Sequence, residues 1–263
     1  MKLLLIAGHG ASDPGATAVI KGVQYREATE ARAVVAGLAK ALQGYADVTV
    51  YPSDRNPFAD HQNGTLRTLA QFSKYDYVLE IHFNAHKLDH GDGKTKGVEC
   101  YVTYAEPGIK VETAIVAKLA ALGFTSRGVK RQNWAVIQAA RQSGVSAALL
   151  EVCFIDDADD MEVYLVKKPM VAQAIADGIV EGFGLTETGI PVTEKEDNVS
   201  YEEFKAHMGR YLAERAALPP GDWSKESRAW AEETGIVTAN PPKYKSNITR
   251  EEVVEMMYRN RVK

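Results

Sequence analysis

The chain predicts an α/β fold: a mixed, mostly parallel sheet of about six strands flanked by helices, followed by a small helical C-terminal domain. Three observations predict it. Strand-like apolar runs alternate with helix-like patterns over the first 185 residues, the pattern of a parallel sheet covered by helices. Three of those runs end in a histidine or a glutamate, which suits an open sheet whose ligands bind beyond the carboxyl ends of its strands. The periodic apolar pattern then stops at Thr186, and the remainder of the chain reads as a linker and a separate helical module.

The first strand is predicted at residues 2–7. Its apolar run is too short for the h-region of a signal peptide and meets His9 at once, so no Sec signal is expected and the segment reads as a strand. A helix follows Arg26, with Ala28, Ala31, Val34, Val35, Leu38 and Leu42 at three- and four-residue steps and Gly44 closing it. Further strands are predicted at 48–51, 77–81, 98–104, 134–138 and 147–152. A second helix over 112–122 places Ile115, Leu119 and Leu122 on one face, with Gly123 at its end. A third begins near Asp157, and Pro169 should break or restart it, because proline has no N–H and fits only a first helical turn; residues 170–183 then form a helix of their own. The first domain is thus expected over 1–185.

Residues 186–198 (TETGIPVTEKEDN) carry glycine, proline and charge without apolar periodicity and read as a linker. In the module at 199–263, Ser200 with Glu203 and Thr249 with Glu252 form capping-box patterns ahead of helices. Leu218-Pro219-Pro220-Gly221 stops the first of these, and another helix is expected over 225–234. At about 65 residues the module is marginal for folding alone, so it is expected to pack on the first domain or on a second copy, as a homodimer would.

Composition excludes several classes. A net charge of −4 without a basic stripe argues against nucleic-acid binding. No apolar run reaches about 18 residues, so no membrane span is expected. The two cysteines, Cys100 and Cys153, form no CxxC pair, so neither a thiolate zinc site nor a disulfide framework is expected, and they read as free thiols on strands.

The six histidines are His9, His61, His82, His86, His90 and His207. His9 lies in AGHGASDPGA, a glycine-rich turn that lacks the spacing of a nucleotide loop; neutral imidazole there suits a metal ion. Glu27 opens the first long helix. Alone it would be a surface acid favoured by the helix dipole, but a strand–loop–helix unit brings the helix start beside the strand end, facing His9. His82 closes the apolar run of YDYVLEIHFNAH and shares strand parity with Val78 and Glu80, while Tyr77, Leu79 and Ile81 point to the other face. On its own it would be a core histidine bonded to backbone. Glu151 follows Ala147-Ala148-Leu149-Leu150, where a carboxylate is costly unless paired, metal-bound or functional; it reads as a further ligand or a general base. Two histidines and a carboxylate around Zn²⁺, with another carboxylate to move protons, would make a complete hydrolytic site.

In order along the chain, IAGHGASDPGA, the Glu27 helix, YVLEIHFNA, KGVECYV, SRGVKRQNWAVIQAA and LLEVCFIDDADDMEVY resemble the zinc-dependent N-acetylmuramoyl-L-alanine amidases, the amidase-3 family of autolysins and phage endolysins. The resemblance implies that His9, Glu27 and His82 are zinc ligands, that Glu151 is the catalytic glutamate and that the substrate is peptidoglycan, cut between the lactyl group of N-acetylmuramic acid and L-alanine. It also implies a mixed, mostly parallel sheet. The chain departs from the family at Glu80, where serine is frequent, and at His86, which reads as a surface residue, a substrate contact or an alternative ligand. His61 and His90 are expected in solvated loops, and the acidic run 156–160 as a solvated helix start. The segments around Trp223, Trp230-Ala231, Gly235-Ile236, Thr249-Arg250-Glu251 and Tyr258-Arg259 resemble one S-layer-homology-like repeat, which implies binding to a secondary wall polymer; dimerisation and domain packing are the competing readings.

The setting expected from these features is a phage or prophage endolysin, made in the cytoplasm and acting on the wall after release. The alternatives are a bacterial autolysin, a zinc carboxypeptidase using Arg127, Arg131 or Arg141 to grip a terminal carboxylate, and a non-catalytic wall-binding protein.

Overall fold

The computed structural model describes residues 1–10 and 12–187. The C-terminal module, His207 and all but the first two positions of the expected linker lie outside the described residues. The elements run β1 (Lys2–Ala7), β2 (Thr17–Ile20), β3 (Val23–Arg26), α1 (Glu27–Ala41), β4 (Asp47–Val50), α2 (Pro57–Gln62), α3 (Leu66–Ala70), β5 (Tyr77–Asn84), β6 (Val98–Val102), α4 (Lys110–Ala120), β7 (Ser126–Arg131), α5 (Ala135–Gln142), β8 (Ser146–Phe154) and α6 (Ala158–Phe183).

Six strands form one sheet in the order β4-β1-β5-β8-β6-β7. Every neighbouring pair is parallel except β6 and β8, which are antiparallel, so the mixed, mostly parallel sheet expected from the alternation is present. Side-chain alternation divides the core in two. Leu3, Leu5, Tyr77, Leu79, Ile81, Ala148, Leu150 and Val152 face a layer that includes α1, α4 and α6, while Leu4, Ile6, Val78, Ala147 and Leu149 face α3 and α5. Burial of each such leucine or valine stabilises the fold by roughly 1.5–3 kcal/mol, which makes the central strands a rigid frame for whatever their carboxyl ends carry. Both cysteines are buried free thiols, as expected. Among the described residues no helix is long and apolar enough to cross a membrane.

The structure corrects three local expectations. Residues 134–138 are not a strand: Trp134 is extended and α5 starts at Ala135. Val136, Ile137, Ala139 and Ala140 are all buried, a one-sided helical pattern that in a short apolar run cannot be told from a buried strand. The sixth strand is instead β7, a charged, half-exposed sheet edge without apolar alternation. The break expected at Pro169 is present: α6 consists of two helical segments that meet at a kink at Lys167 (φ −110°, ψ 15°), two residues ahead of the proline, which then falls in the first turn of the second segment, where its missing N–H is tolerated. The acidic run 156–160 is not solvated, since Asp156, Asp157 and Asp160 are buried. Asp157 caps α6 by accepting from the Asp160 N–H, and Asp160 accepts from the N–H groups of Gly97 and Phe154. Finally, β5 runs on past Ile81 to Asn84 and so contains His82, while Glu151 lies within β8 as the strand over 147–152 predicts; His82 adjoins a register shift between His82 and Asn84, the kind of bulge that re-aims side chains at a sheet rim.

Candidate metal centre

The first crossover carries an antiparallel hairpin that the sequence pattern did not reveal. β2 and β3 pair from Thr17 with Arg26 to Ile20 with Val23. Lys21 and Gly22 at its tip both have positive φ (50° and 80°), as a type I′ turn requires. This pairing returns residue 27 to the loop after β1. The Glu27 N–H donates to Ala16 O (2.9 Å), and its Oε2 accepts from the Ala16 N–H (2.8 Å). The first residue of α1 is thereby turned inward, towards the carboxyl ends of β1 and β5.

There it meets both histidines. Glu27 Oε2 lies 3.1 Å from His9 Nε2, and Oε1 lies 2.8 Å from His82 Nδ1 and accepts from the Phe83 N–H. The rings stand edge to face, 5.0 Å between centroids. One donor atom from each of His9, Glu27 and His82 falls within 4.8 Å of the others. Burial alone would raise the Glu27 pKa, but hydrogen bonds and charge from His82 and His9 hold its carboxyl well below the usual range. Burial would lower the His82 pKa, and it is outweighed by Glu80, Glu27 and Glu151, so the imidazole sits well above its ordinary value. His9 is shifted the same way by Glu27 and Asp13 against the effect of burial. In the metal-free protein these groups carry opposite charges and attract one another. A divalent cation would replace the shared protons, because metal binding demands neutral imidazole and ionised carboxylate.

The surroundings are shaped to this cluster. A Cβ on Gly8 would lie 2.2 Å from the His82 ring, and one on Gly15 would lie 2.6 Å from the His9 ring and 2.7 Å from Glu27 Oε2; no side chain fits at either position. His9 has φ 58°, a left-handed backbone that costs a non-glycine residue energy and must be held by its surroundings. Arg32 from α1 holds it, donating to Gly8 O, His9 O, Ala28 O, Ser53 O and Arg55 O. Asp13 Oδ2 lies 2.8 Å from His9 Nδ1 and also accepts from Asn56 Nδ2. Two imidazoles and a carboxylate, converging where neighbouring side chains are excluded, form a donor set that fits a zinc-type divalent ion.

Glu151 stands one strand away. It pairs in register with His82 on β5 and with Glu99 on β6, so three polar side chains form one row on the same face of the sheet. Glu151 Oε2 is buried without a hydrogen-bond partner. Burial, followed by the negative charges of Glu27, Glu99 and Glu80 and against the attraction of His82, pushes its pKa up to about 7. A carboxyl poised near neutral pH can take and return a proton. Glu99, by contrast, accepts from Arg127 Nε (2.6 Å), Asn84 Nδ2 (2.6 Å), Tyr101 OH (3.0 Å) and Lys130 Nζ.

The four residues singled out from the sequence are therefore brought together, whereas His61, His86 and His90 are exposed. Asp13, Arg32 and Glu99 were missed. Asp13 had a local signal, since an aspartate four residues past a candidate ligand in a tight loop can fold back on it; Arg32 and Glu99 act through long-range neighbours.

A mostly parallel sheet that carries a His–Glu–His donor set and a half-buried glutamate with one buried, unbonded oxygen at one end defines the class: a hydrolase with a metal-ligand cluster. Residues 3–182 match the Amidase_3 family, described as N-acetylmuramoyl-L-alanine amidase, and the chain belongs to that family. N-acetylmuramoyl-L-alanine amidase CwlM of Bacillus licheniformis is 31% identical over 189 residues, spanning 69% of this chain and 67% of that protein. The sporulation-specific N-acetylmuramoyl-L-alanine amidase of Bacillus subtilis (strain 168) is 27% identical over 202 residues, 72% and 70% of the two. The catalytic domain of CwlV, an N-acetylmuramoyl-L-alanine amidase from Bacillus (Paenibacillus) polymyxa var. colistinus, superposes with a TM-score of 0.56 at 26% identity, covering 71% of this chain and 100% of that domain. The chain is a cell-wall amidase acting on peptidoglycan.

Proposed function

We propose that the enzyme is zinc-dependent, that His9, Glu27 and His82 hold the metal, and that Glu151 moves the protons. The observation that carries this reading is the convergence of the three donor groups beside a glutamate whose pKa is about 7. Bound Zn²⁺ supplies a Lewis acid for the scissile carbonyl and the attacking water. Glu151 accepts the proton that the water loses and delivers it to the nitrogen of L-alanine as the amide bond breaks, leaving a lactyl carboxylic acid and a free amine. Asp13 and Arg32 hold His9 in its left-handed turn while this happens, and Gly8 and Gly15 keep the space clear.

The carboxypeptidase alternative needs a guanidinium to hold a terminal carboxylate. Arg131 donates instead to Thr103 O, Tyr104 O and Glu106 O, Arg141 to Ala105 O, and Arg127 is paired with Glu99. These engagements favour the amidase. Product analysis of digested peptidoglycan tests the choice: new L-alanine amino termini are expected, and released D-alanine would overturn it. Metal analysis of the purified protein should find one zinc per chain, and removal by a chelator should abolish cleavage until zinc is restored.

The endolysin setting is proposed on the sequence resemblance. Produced without a holin, the protein should stay with the cytoplasmic fraction; its appearance in the medium would make it an autolysin. Wall-polymer binding by the module at 199–263 is likewise a proposal from sequence. The full-length Glu151→Gln variant should be retained on intact walls and released by walls stripped of secondary polymers. Equal retention on both would refute that role.

A further inference from the structure

Glu80 is the polar residue of β5 that the proposed mechanism leaves unused. It is 3% exposed and lies in register between Ile6 on β1 and Leu149 on β8. An ionised carboxylate between two apolar side chains is expensive without a partner. Its Oε1 stands 3.2 Å from His82 Nε2, and its Oε2 is buried with no hydrogen-bond partner. His82 Nε2 is likewise buried and makes no hydrogen bond; Glu80 Oε1 stands beside it at ion-pair distance.

The two histidines show the same arrangement in mirror form. His9 turns Nε2 to Glu27 (3.1 Å) and Nδ1 to Asp13 (2.8 Å). His82 turns Nδ1 to Glu27 (2.8 Å) and Nε2 to Glu80 (3.2 Å). A neutral imidazole has one N–H and one lone pair, and an outer carboxylate decides which nitrogen keeps the proton. Glu80 is not a donor in the metal cluster; it faces the opposite nitrogen of the ring.

Resting on the zinc reading of this site, we infer that Glu80 is a positioning residue for the metal. With Oε1 3.2 Å from Nε2, it is placed to accept the Nε2–H of the metal-bound His82, which keeps the Nδ1 lone pair for the metal and strengthens that nitrogen as a ligand. Partners of this kind change metal affinity by about 10–100-fold when removed.

The test uses the full-length protein and three measurements on Glu80→Gln and Glu80→Leu: zinc affinity by competition with a chromogenic chelator, melting of the metal-free form, and ¹⁵N NMR of the His82 tautomer with zinc bound. Glutamine keeps an acceptor oxygen, whereas leucine fills the space between Ile6 and Leu149 with an apolar group. The expected result is graded: zinc binding weakens about 10-fold for Gln and towards 100-fold for Leu, the Nε2–H resonance of the zinc-bound wild type shifts in the leucine variant as its acceptor is removed, and the metal-free melting temperature does not fall. Affinities within twofold of wild type in both variants would overturn the inference. So would affinity that drops in step with metal-free stability, which is the mark of a structural residue. A wild-type protein that binds no zinc would instead bring down the metal assignment itself, and this inference with it.

Discussion

Glu99 and Glu151 are register partners on adjacent strands of one sheet face, yet the protein treats them in opposite ways. Glu99, 2% exposed, receives donors from Arg127, Lys130, Tyr101 and Asn84. Burial would raise its pKa, and those hydrogen bonds reverse the effect and hold it below the usual value. Glu151 has a buried oxygen with no partner and a pKa pushed up to about 7. The first is a charge stabilised by its neighbours; the second is a charge the fold withholds support from. A carboxylate with a buried oxygen left unsatisfied beside a cluster of metal-type donors is where the proposed chemistry would take place, and a satisfied one next to it marks the frame that keeps β6 and β7 in place.

The largest expected effect separates the two by activity. Glu151→Gln should lower the rate of muropeptide cleavage by about 10²–10⁴-fold, the usual contribution of a general base, while zinc content and fold persist. Glu99→Gln should keep most of the rate, because glutamine still accepts from Arg127 or Lys130. His82→Ala should lose zinc as well as rate, so that metal analysis alongside kinetics distinguishes a ligand from a base. Full activity in Glu151→Gln would remove the contrast altogether.

Stability against pH sharpens the same contrast. For Glu151 the folded pKa of about 7 lies above the unfolded value of 4.5, so between those values the folded state binds more protons and stability falls as pH rises. The penalty is absent below pH 4.5 and complete above about pH 7, amounting to roughly 3 kcal/mol at 1.36 kcal/mol per unit. Glu99, with its pKa lowered, contributes in the reverse sense: its stabilisation is present above the unfolded pKa and is lost as pH falls through the folded one. In urea titrations of the metal-free protein, Glu151→Gln should therefore gain stability on wild type as pH rises from 4.5 to 7. Glu99→Ala should be destabilised by about 2 kcal/mol at neutral pH, through acceptors withdrawn from Asn84 and Tyr101, with the deficit shrinking in acid. Parallel pH curves for the two variants would refute the assignment of opposite roles.

Much of this site was legible in the sequence because its residues violate local pattern. His9, His82 and Glu151 interrupt or end apolar runs, and Glu27 begins the most regular helix. The sheet's class followed from the alternation of runs. What the sequence did not disclose depends on partners far along the chain. β7 is a strand because β6 offers it an edge, not because SRGVKR has apolar alternation. The pairing of Glu99 with Glu151 arises from a strand order in which β6 lies beyond β8, and nothing local to either residue encodes it. The acidic run 156–160 looked like a solvated helix start because aspartates usually are; here Asp156, Asp157 and Asp160 are buried, with backbone N–H groups from other segments donating to Asp156 and Asp160. Residues 134–138 failed for a different reason: a short apolar-rich run suits either period.

The smallest effect is expected at the residue where departure from the family resemblance had raised an open question. The His86 side chain is exposed, and the segment is tied down by its backbone, whose N–H donates to Asp156 Oδ2 (2.8 Å). His86→Ala leaves that bond intact. Stability should change by less than about 0.5 kcal/mol, as for other surface positions without special contacts, and zinc stoichiometry should not change, because His86 is outside the donor cluster. A fall in zinc content would make it a ligand and redraw the centre. With both held constant, any loss in kcat/KM reports contact with the peptidoglycan strand alone, and the residue then belongs to substrate recognition rather than to either of the two carboxylate environments compared.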